Sequence, residues 1–296
     1  MAKINKTKEK VGPVNWIIFG VLIFYSVVMI LLMVWGVLTS LKSDNDFIID
    51  PVLLPGEDGF MIENFIEMWQ KFVVPNKFTP GVKIGVEAMI LNTILYCFGG
   101  AFVMTTCYCI MAYITSRYNY LFSKIIYLVV VITMVIPIIG STPATLDFMI
   151  ATGLYDTWLG AYIMKFNFLG MYFLVFHAMY KSLSNEFYEA AIIDGANEWQ
   201  VFLKIMVPLV APTYGTIFLI KFIEFWNDYM TPLMYLPTHP TLAYGVQYMA
   251  TNGMRGMSRP PKKMASCMVM MLPILFVYII FRNKIMGNVT MGGVKE

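Results

Sequence analysis

Residues 181–209, K-S-L-S-N-E-F-Y-E-A-A-I-I-D-G-A-N-E-W-Q-V-F-L-K-I-M-V-P-L, form the one long polar stretch in the second half of a very apolar chain. The helix-capping and turn residues in this stretch predict two short helices joined by a turn. The Ser184 hydroxyl can accept from the free amides of an opening turn, so we expect the first helix to begin there. Asp194-Gly195 ends that helix. Asn197 and Gln200 have the spacing of a capping box, which predicts the start of the second helix.

The predicted second helix carries a stripe of apolar side chains. The residues at positions i, i+3, i+4 and i+7 are Trp199, Phe202, Leu203 and Met206. This spacing puts them on one helix face, and Pro208 ends or kinks the helix as the next apolar run begins. Two helices this short cannot bury such a stripe by themselves, so it needs a groove on a partner. The alternative is an amphipathic hairpin that lies on the lipid surface.

Composition indicates a membrane protein. The 296 residues have a mean hydropathy of +0.67, with 58% hydrophobic and only 13% charged side chains, which is too apolar for a soluble domain. The net charge of +3 is small and suggests no nucleic-acid partner. All four cysteines lie in apolar runs, which argues against disulfides and a metal site. No G-x-x-x-x-G-K-[ST] segment occurs, so we expect neither P-loop ATP binding nor enzymatic activity, and no cofactor.

Six apolar windows are long enough to cross a bilayer as helices. They cover residues 15–39, 86–113, 124–142, 159–180, 209–231 and 264–286. The first lacks a small-residue cleavage site, so it is expected to be a retained helix and not a signal peptide. The predicted fold class is therefore all-α integral membrane, with six transmembrane helices. Residues 1–84 are expected to form the first helix and an external loop, and residues 85–296 a core of five helices with a C-terminal tail.

The basic residues predict the orientation of these windows. One side carries Lys3, Lys6, Lys8, Lys10, Arg117, Lys124, Lys181, Lys204, Arg282 and Lys284. That side is expected to be the cytoplasm, with both termini and the helical hairpin of residues 184–206. The segment after the first window is rich in acidic residues and lies on the other side. The last external loop is an exception, because it contains Arg255, Arg259, Lys262 and Lys263 and no acidic residue.

Proline and glycine predict breaks in two windows. Pro137 and Pro143 interrupt the third window near its outer end, and Gly99-Gly100 lie inside the second. Breaks at membrane depth are tolerated where neighbouring protein or a water-filled cavity satisfies the freed backbone groups. Each break is therefore a candidate for lining a cavity, and a packing kink between helices is an equal alternative.

Polar side chains in the fifth window share one helix face: Lys221, Glu224, Asn227 and Asp228. Charge inside hydrocarbon is costly, so such residues usually pair or face a polar interior. Lys221 and Glu224 are expected to neutralise each other at a subunit interface. The alternative is that this face lines a translocation path, with Trp226 and Tyr229 offering flat rings beside it.

Three polar residues outside the fifth window also need an explanation. Asn92 in the second window is expected to bond across helices or to line the same path. Lys165 is expected to extend its ammonium group to the membrane surface, and His177 to be an interface histidine.

A family resemblance rests on three segments. Glu189-Ala190-Ala191, Asp194-Gly195-Ala196, Ile205 and Pro208-Leu209 resemble the E-A-A…D-G-A…P-L coupling loop of binding-protein-dependent ABC importer permeases, most of all the maltose-type sugar subfamily. The W-N-D run at 226–228 is similar to a segment of sugar permeases. The tail at 287–295 is similar to the end of maltose-type subunits, with Gly293 where alanine is usual. Ser184 stands where the family commonly has proline, and either residue starts a helix.

The resemblance covers about residues 85–296 and implies a subunit that imports a sugar, in particular an oligosaccharide, through a bacterial or archaeal plasma membrane. The implied partners are a second homologous permease chain, two ABC ATPase subunits, an extracytoplasmic sugar-binding protein and membrane lipid. In that family the loop docks into a cleft on the ATPase. The resemblance implies that Glu189 is the polar anchor on the ATPase and that Gly195 permits the turn. It also implies that three large apolar side chains fill the groove, namely Trp199, Phe202 and Leu203. The remaining residues of the contact are Ala190, Ala191 and Asp194.

Other hypotheses remain open. A glycerol-phosphate ester or a polyol is an alternative cargo. A secondary transporter would need a self-sufficient site and usually inverted repeats, which the sequence does not display. A structural membrane subunit or an exporter-type scaffold would not co-purify with a binding protein. Under the importer hypothesis, movement of the docked hairpin rocks the fourth and fifth helices between inward- and outward-facing arrangements.

Overall fold

A computed structural model of the chain describes residues 12–52, 54–136, 140–254 and 256–289, with side chains described as far as Arg282. The N-terminal lysines, Pro137, Arg255 and the tail beyond Val289 lie outside the described residues. The helices are α1 Pro13–Ser40, α2 Asp44–Ile49, α3 Glu63–Lys71, α4 Val86–Arg117, α5 Leu121–Val135, α6 Ser141–Ala151, α7 Trp158–Lys165, α8 Met171–Ser182, α9 Glu186–Ile193, α10 Glu198–Val201, a π-helical segment Phe202–Met206, α11 Val207–Trp226, α12 Met230–Tyr235, α13 Leu242–Asn252 and α14 Pro260–Val289.

Four helices among the described residues are long and apolar enough to cross a membrane. They are Pro13–Ser40, Val86–Arg117, the continuous run Glu198–Trp226 and Pro260–Arg282. The third window forms the shorter helix α5, which ends at Val135. Pro143 lies in the first turn of α6, where proline is tolerated because the amides there have no helical partner.

The fourth window is two helices where one was predicted. α7 ends at Lys165 and α8 begins at Met171. Between them the side-chain oxygen of Asn167 accepts from the Leu169 amide at 2.8 Å, and Gly170 has φ +142°, a conformation that L-residues rarely adopt. These two features end the helix within an otherwise apolar run.

The first compact unit comprises residues 1–68 and 255–268. Most side chains of α1 are exposed and apolar, as expected for a helix surrounded by lipid. The C-terminal end of α1 is held by Asn64, whose amide donates to the carbonyl groups of Ser40 at 3.0 Å and Lys42 at 2.7 Å.

An ion-pair cluster in this unit bears on the basic last loop. The Lys262 ammonium lies 3.0 Å from a Glu67 carboxylate oxygen and 3.9 Å from one of Asp44. Both acids belong to the segment predicted as the first external loop. The basic last external loop was the exception to the predicted orientation. Part of its positive charge is therefore neutralised by nearby acidic residues.

The second unit comprises residues 69–254 and 269–296, and α4 lies at its centre. This helix packs against α7, α8, α11 and α13. A short antiparallel sheet precedes it, in which β1 (Val74–Pro75) pairs with β2 (Lys83–Ile84). The all-α prediction missed this sheet, because two residues per strand leave no recognisable pattern.

Gly99 and Gly100 lie inside an unbroken α4, so the predicted break is wrong. A Cβ atom on Gly100 would approach the Phe225 ring to 3.1 Å, and one on Gly99 would overlap the Tyr162 ring. The two glycines therefore allow α7 and α11 to approach α4 closely. Their role is close packing within a continuous helix.

Candidate functional site

The capping and turn of the 184–206 hairpin match the prediction, but its second helix does not end at Pro208. It continues through the π-helical segment into α11 as one run, Glu198–Trp226. α9 ends at Ile193, and Gly195 has φ +84° in the turn. The Asn197 side chain accepts from the Gln200 amide at 2.9 Å, and the Gln200 side chain accepts from the Asn197 amide at 2.9 Å. The predicted capping box is confirmed. At the start of α9 the N-cap is Asn185, one residue later than expected, and the Ser184 hydroxyl accepts from the Glu186 amide at 3.2 Å.

The capping box gives a first prediction. Asn197→Ala removes the acceptor for the opening amides of α10 and is expected to cost about 1 kcal/mol of local stability. Faster hydrogen exchange at the amide of Gln200 would report it. Gln200→Ala is the matched comparison, because it removes only the return hydrogen bond and should cost less. Unchanged exchange in Asn197→Ala would contradict a capping role.

The apolar stripe of the second helix is divided between two environments. Phe202 and Met206 are buried in a core formed with α4 and α8, and the Phe202 ring lies 4.8 Å from that of Tyr113. Trp199 and Leu203 remain 68% and 58% exposed. Phe202 is therefore not available to fill a groove on a partner, which corrects the role predicted for it. The hairpin folds back onto its own chain, so one edge of the stripe is used internally.

The other predicted coupling residues divide in the same way. Ala191 is buried in the same core as Phe202. Glu189, Ala190, Asp194 and Gly195 are exposed. The exposed edge of the hairpin thus consists of acidic, small and large apolar groups, a combination that suits contact with another protein.

A polar cluster that the sequence did not predict fixes the hairpin to the end of α4. The Tyr118 hydroxyl donates to Glu198 Oε2 at 2.9 Å, and the Tyr188 hydroxyl donates to Glu198 Oε1. Arg117 donates to the Asn185 side-chain oxygen at 2.7 Å, and its guanidinium lies 3.5 Å from the centre of the Tyr188 ring. Arg117 and Tyr118 are 68 and 80 residues away from their hydrogen-bond partners, so no local pattern could reveal these contacts.

Both tyrosines in this cluster have raised pKa values. Burial and the hydrogen bond to Glu198 raise the pKa of Tyr118, and the hydrogen bond to Glu198 followed by burial raises that of Tyr188. Both hydroxyls therefore remain donors at neutral pH.

The polar face of the fifth window is more heavily paired than predicted. The Asp228 carboxylate lies 3.4 Å from the Lys165 ammonium and accepts from the Tyr96 hydroxyl at 2.6 Å and from the Thr231 amide at 3.0 Å. Lys165 also lies 4.2 Å from the centre of the Phe225 ring. The expectation that Lys165 extends to the membrane surface is wrong, since its charge is compensated inside the protein.

The remaining residues of this face have different surroundings. Lys221 pairs with Glu224 at 2.7 Å, as predicted, and the Glu224 side chain is 55% exposed. Asn227 is exposed and donates to the Ile223 carbonyl at 2.9 Å. Trp226 is buried, and its indole N–H donates to the Met270 carbonyl at 3.0 Å. Trp226 therefore cannot offer its ring to a ligand, which corrects that prediction.

Asn92 and Thr93 connect α4 to the segment before α13. The Asn92 amide donates to the Pro240 carbonyl at 3.1 Å, and the Thr93 hydroxyl accepts from the Leu242 amide at 2.8 Å. Asn92 thus satisfies a backbone group of the loop before α13, and Thr93 satisfies the first amide of α13 itself. The geometry favours the structural alternative for Asn92.

Comparison with known families identifies the chain. The protein-family model described as binding-protein-dependent transport system inner membrane component matches residues 108–286. These residues include the hairpin and the polar face of α11. The chain belongs to this family. This permease is accordingly an inner-membrane, multi-pass transport subunit.

Individual relatives align with this permease over most of its length. The diacetylchitobiose uptake system permease protein NgcG of Streptomyces coelicolor is 27% identical over 92% of this permease and 86% of its own length. The melibiose/raffinose/stachyose import permease protein MelC of Bacillus subtilis is 23% identical over 87% of this permease and 88% of its own length. A chain of a bacterial ABC transporter involved in import of the acidic polysaccharide alginate has the same fold, with a TM-score of 0.72 at 20% identity over 93% of this permease and 98% of that chain.

Proposed function

We propose that this permease imports a sugar, in particular an oligosaccharide, delivered by an extracytoplasmic binding protein. The oligosaccharides in the names of NgcG and MelC support this cargo. Glu224 and Asn227 support it chemically, because they expose a carboxylate and an amide on a membrane-length helix, and both groups hydrogen-bond hydroxyls. With Lys221 beside them they are the candidates for the translocation path. An exposed carboxylate also favours a neutral sugar over the phosphate-ester alternative.

The proposed topology has six crossings with both termini in the cytoplasm. The four long helices supply four crossings. We assign the other two to α5 and to α7 with α8. A helix break such as 166–170 is compatible with membrane depth when neighbouring protein satisfies its backbone, and α4 packs against both α7 and α8.

The proposed partners are a second homologous permease chain, two ABC ATPase subunits and the binding protein. The single observation that carries the coupling role is the exposed pair Trp199 and Leu203 beside exposed Glu189, on a hairpin whose opposite edge is fixed in the core. Large exposed apolar side chains next to polar ones are typical of protein contacts, and tryptophan is frequent among the residues that dominate them. An ATPase cleft is the partner that the family function requires.

The test is ATP hydrolysis by the reconstituted complex. Trp199→Ala combined with Leu203→Ala is expected to reduce hydrolysis stimulated by sugar-loaded binding protein at least tenfold, because truncating a central aromatic contact typically costs 2 kcal/mol or more. The matched control is Trp69→Ala, which removes an exposed tryptophan from α3 on the predicted external side. Unimpaired stimulation in the double variant would exclude the hairpin as the ATPase contact.

A further inference from the structure

A cavity of about 780 Å³, lined mostly by residues with polar side chains, lies where the C-terminal ends of α4 and α8 meet the N-terminal part of α5. Its lining includes Asn119, Ser123, Lys124 and Lys181. No residue of the hairpin and none of the translocation-path candidates is among its lining residues. The cavity is therefore separate from both sites described above.

The surroundings of this cavity are basic. A neighbouring cavity of about 260 Å³, lined in part by hairpin residues, shares Ser116 and Lys181 with it and adds Arg117, which also donates to Asn185 of the hairpin. Among the described residues that line the two cavities there is no aspartate or glutamate. Ammonium groups together with hydroxyl and amide donors form a site for an anion with several acceptor oxygens, such as a phosphate.

An apolar surface begins beside the cavity. Leu121, Phe122, Ile125 and Leu128 of α5 are exposed on the helix that carries Lys124 and Ser123. Within the lining, the His177 ring packs against the rings of Phe173 and Tyr127, so aromatic groups adjoin the polar ones. A ligand that fits both parts has an anionic head and hydrocarbon chains.

We propose that this cavity binds the head group of an anionic phospholipid, with Lys124 and Lys181 contacting the phosphate and the acyl chains lying along α5. Lysines close to a membrane surface attract anionic lipid, and the basic side of this permease is the proposed cytoplasmic side. The shared chemistry is that of a phosphate, so free phosphate from the cytoplasm is the other possible source. The exposed apolar face of α5 favours the lipid.

The experiment is native mass spectrometry of the complete transporter complex, extracted in detergent and supplied with phosphatidylglycerol or phosphatidylcholine. Lys124→Gln and Lys181→Gln are each expected to reduce retained phosphatidylglycerol about fivefold, and the double variant about 25-fold, with phosphatidylcholine unchanged. Arg282→Gln is the matched control, because it removes an exposed basic side chain from the same proposed side but outside the cavity and outside the hairpin.

Two outcomes would overturn the assignment. One is equal retention of phosphatidylglycerol by the double variant and by Arg282→Gln. The other is that inorganic phosphate binds the delipidated complex with the same lysine dependence while phosphatidylglycerol does not, which would identify a site for a soluble anion. The measurement requires no sugar transport, so its failure is distinguishable from failure of the proposed function.

Discussion

A Lys165→Met variant is expected to lose about 3–5 kcal/mol of stability, because removing one partner of a buried ion pair leaves the other charge uncompensated. The side chains of Lys165 and Asp228 are only 13% and 20% exposed, and their charged atoms are 3.4 Å apart. The Tyr96 hydroxyl and the Thr231 amide would still donate to the carboxylate, but neither neutralises it. Thermal inactivation of the purified complex, followed by the loss of the monodisperse species, measures the effect.

The double variant Lys165→Met with Asp228→Asn separates the ion pair from general packing. It removes both charges, retains an acceptor for Tyr96, and is expected to recover much of the lost stability. Lys83→Met removes an exposed lysine from β2 and should change stability by no more than about 0.5 kcal/mol. If the double variant is less stable than Lys165→Met alone, the carboxylate is not destabilised by loss of the ammonium, and the pairing argument fails.

Gly195→Val is the second substitution with a large expected effect, on coupling. Gly195 has φ +84°, and a Cβ atom there would meet nothing within 4 Å, so the cost of a side chain comes from the backbone alone. A β-branched residue is strained in this conformation by about 1–2 kcal/mol, whereas asparagine tolerates it. Gly195→Val is therefore expected to lose at least fivefold in stimulated ATP hydrolysis, and Gly195→Asn to retain most of it.

Glu189→Lys tests the same hairpin without backbone strain. Glu189 is exposed on α9, so reversing its charge changes the contact surface and leaves the fold intact. Stimulated hydrolysis should be abolished while the complex still binds sugar-loaded binding protein. Full transport by Glu189→Lys, or equal activity of Gly195→Val and Gly195→Asn, would exclude the coupling roles of these residues.

The hydrogen-bonded cluster around Glu198 gives the hairpin a second connection through which its movement would reach the membrane helices. The predicted mechanism moves the fourth and fifth crossings, which continue directly into the hairpin. Hydrogen bonds from Tyr118 and Tyr188 to Glu198 also connect the hairpin to the end of α4. Because α4 packs against α7, α8, α11 and α13, we expect a displacement of the hairpin under the proposed mechanism to act on these helices through α4 as well.

The sequence by itself determined the features that depend on a few neighbouring residues. The capping box requires only Asn197 and Gln200 three residues apart, and the turn requires only a glycine at 195. The long apolar helices follow from composition over about twenty residues, since a hydrocarbon core accepts little else. Motif spacing around the hairpin was sufficient to indicate the family.

Tertiary structure alone decided which polar and aromatic groups meet. Lys165 and Asp228 are separated by 63 residues, and nothing near either one specifies the other. The same limitation applies to the apolar stripe, where helical spacing groups Trp199 with Phe202 but cannot tell which of them faces the chain's own core. Helix periodicity fixes which side chains share a face, whereas the packing of whole helices determines what that face contacts.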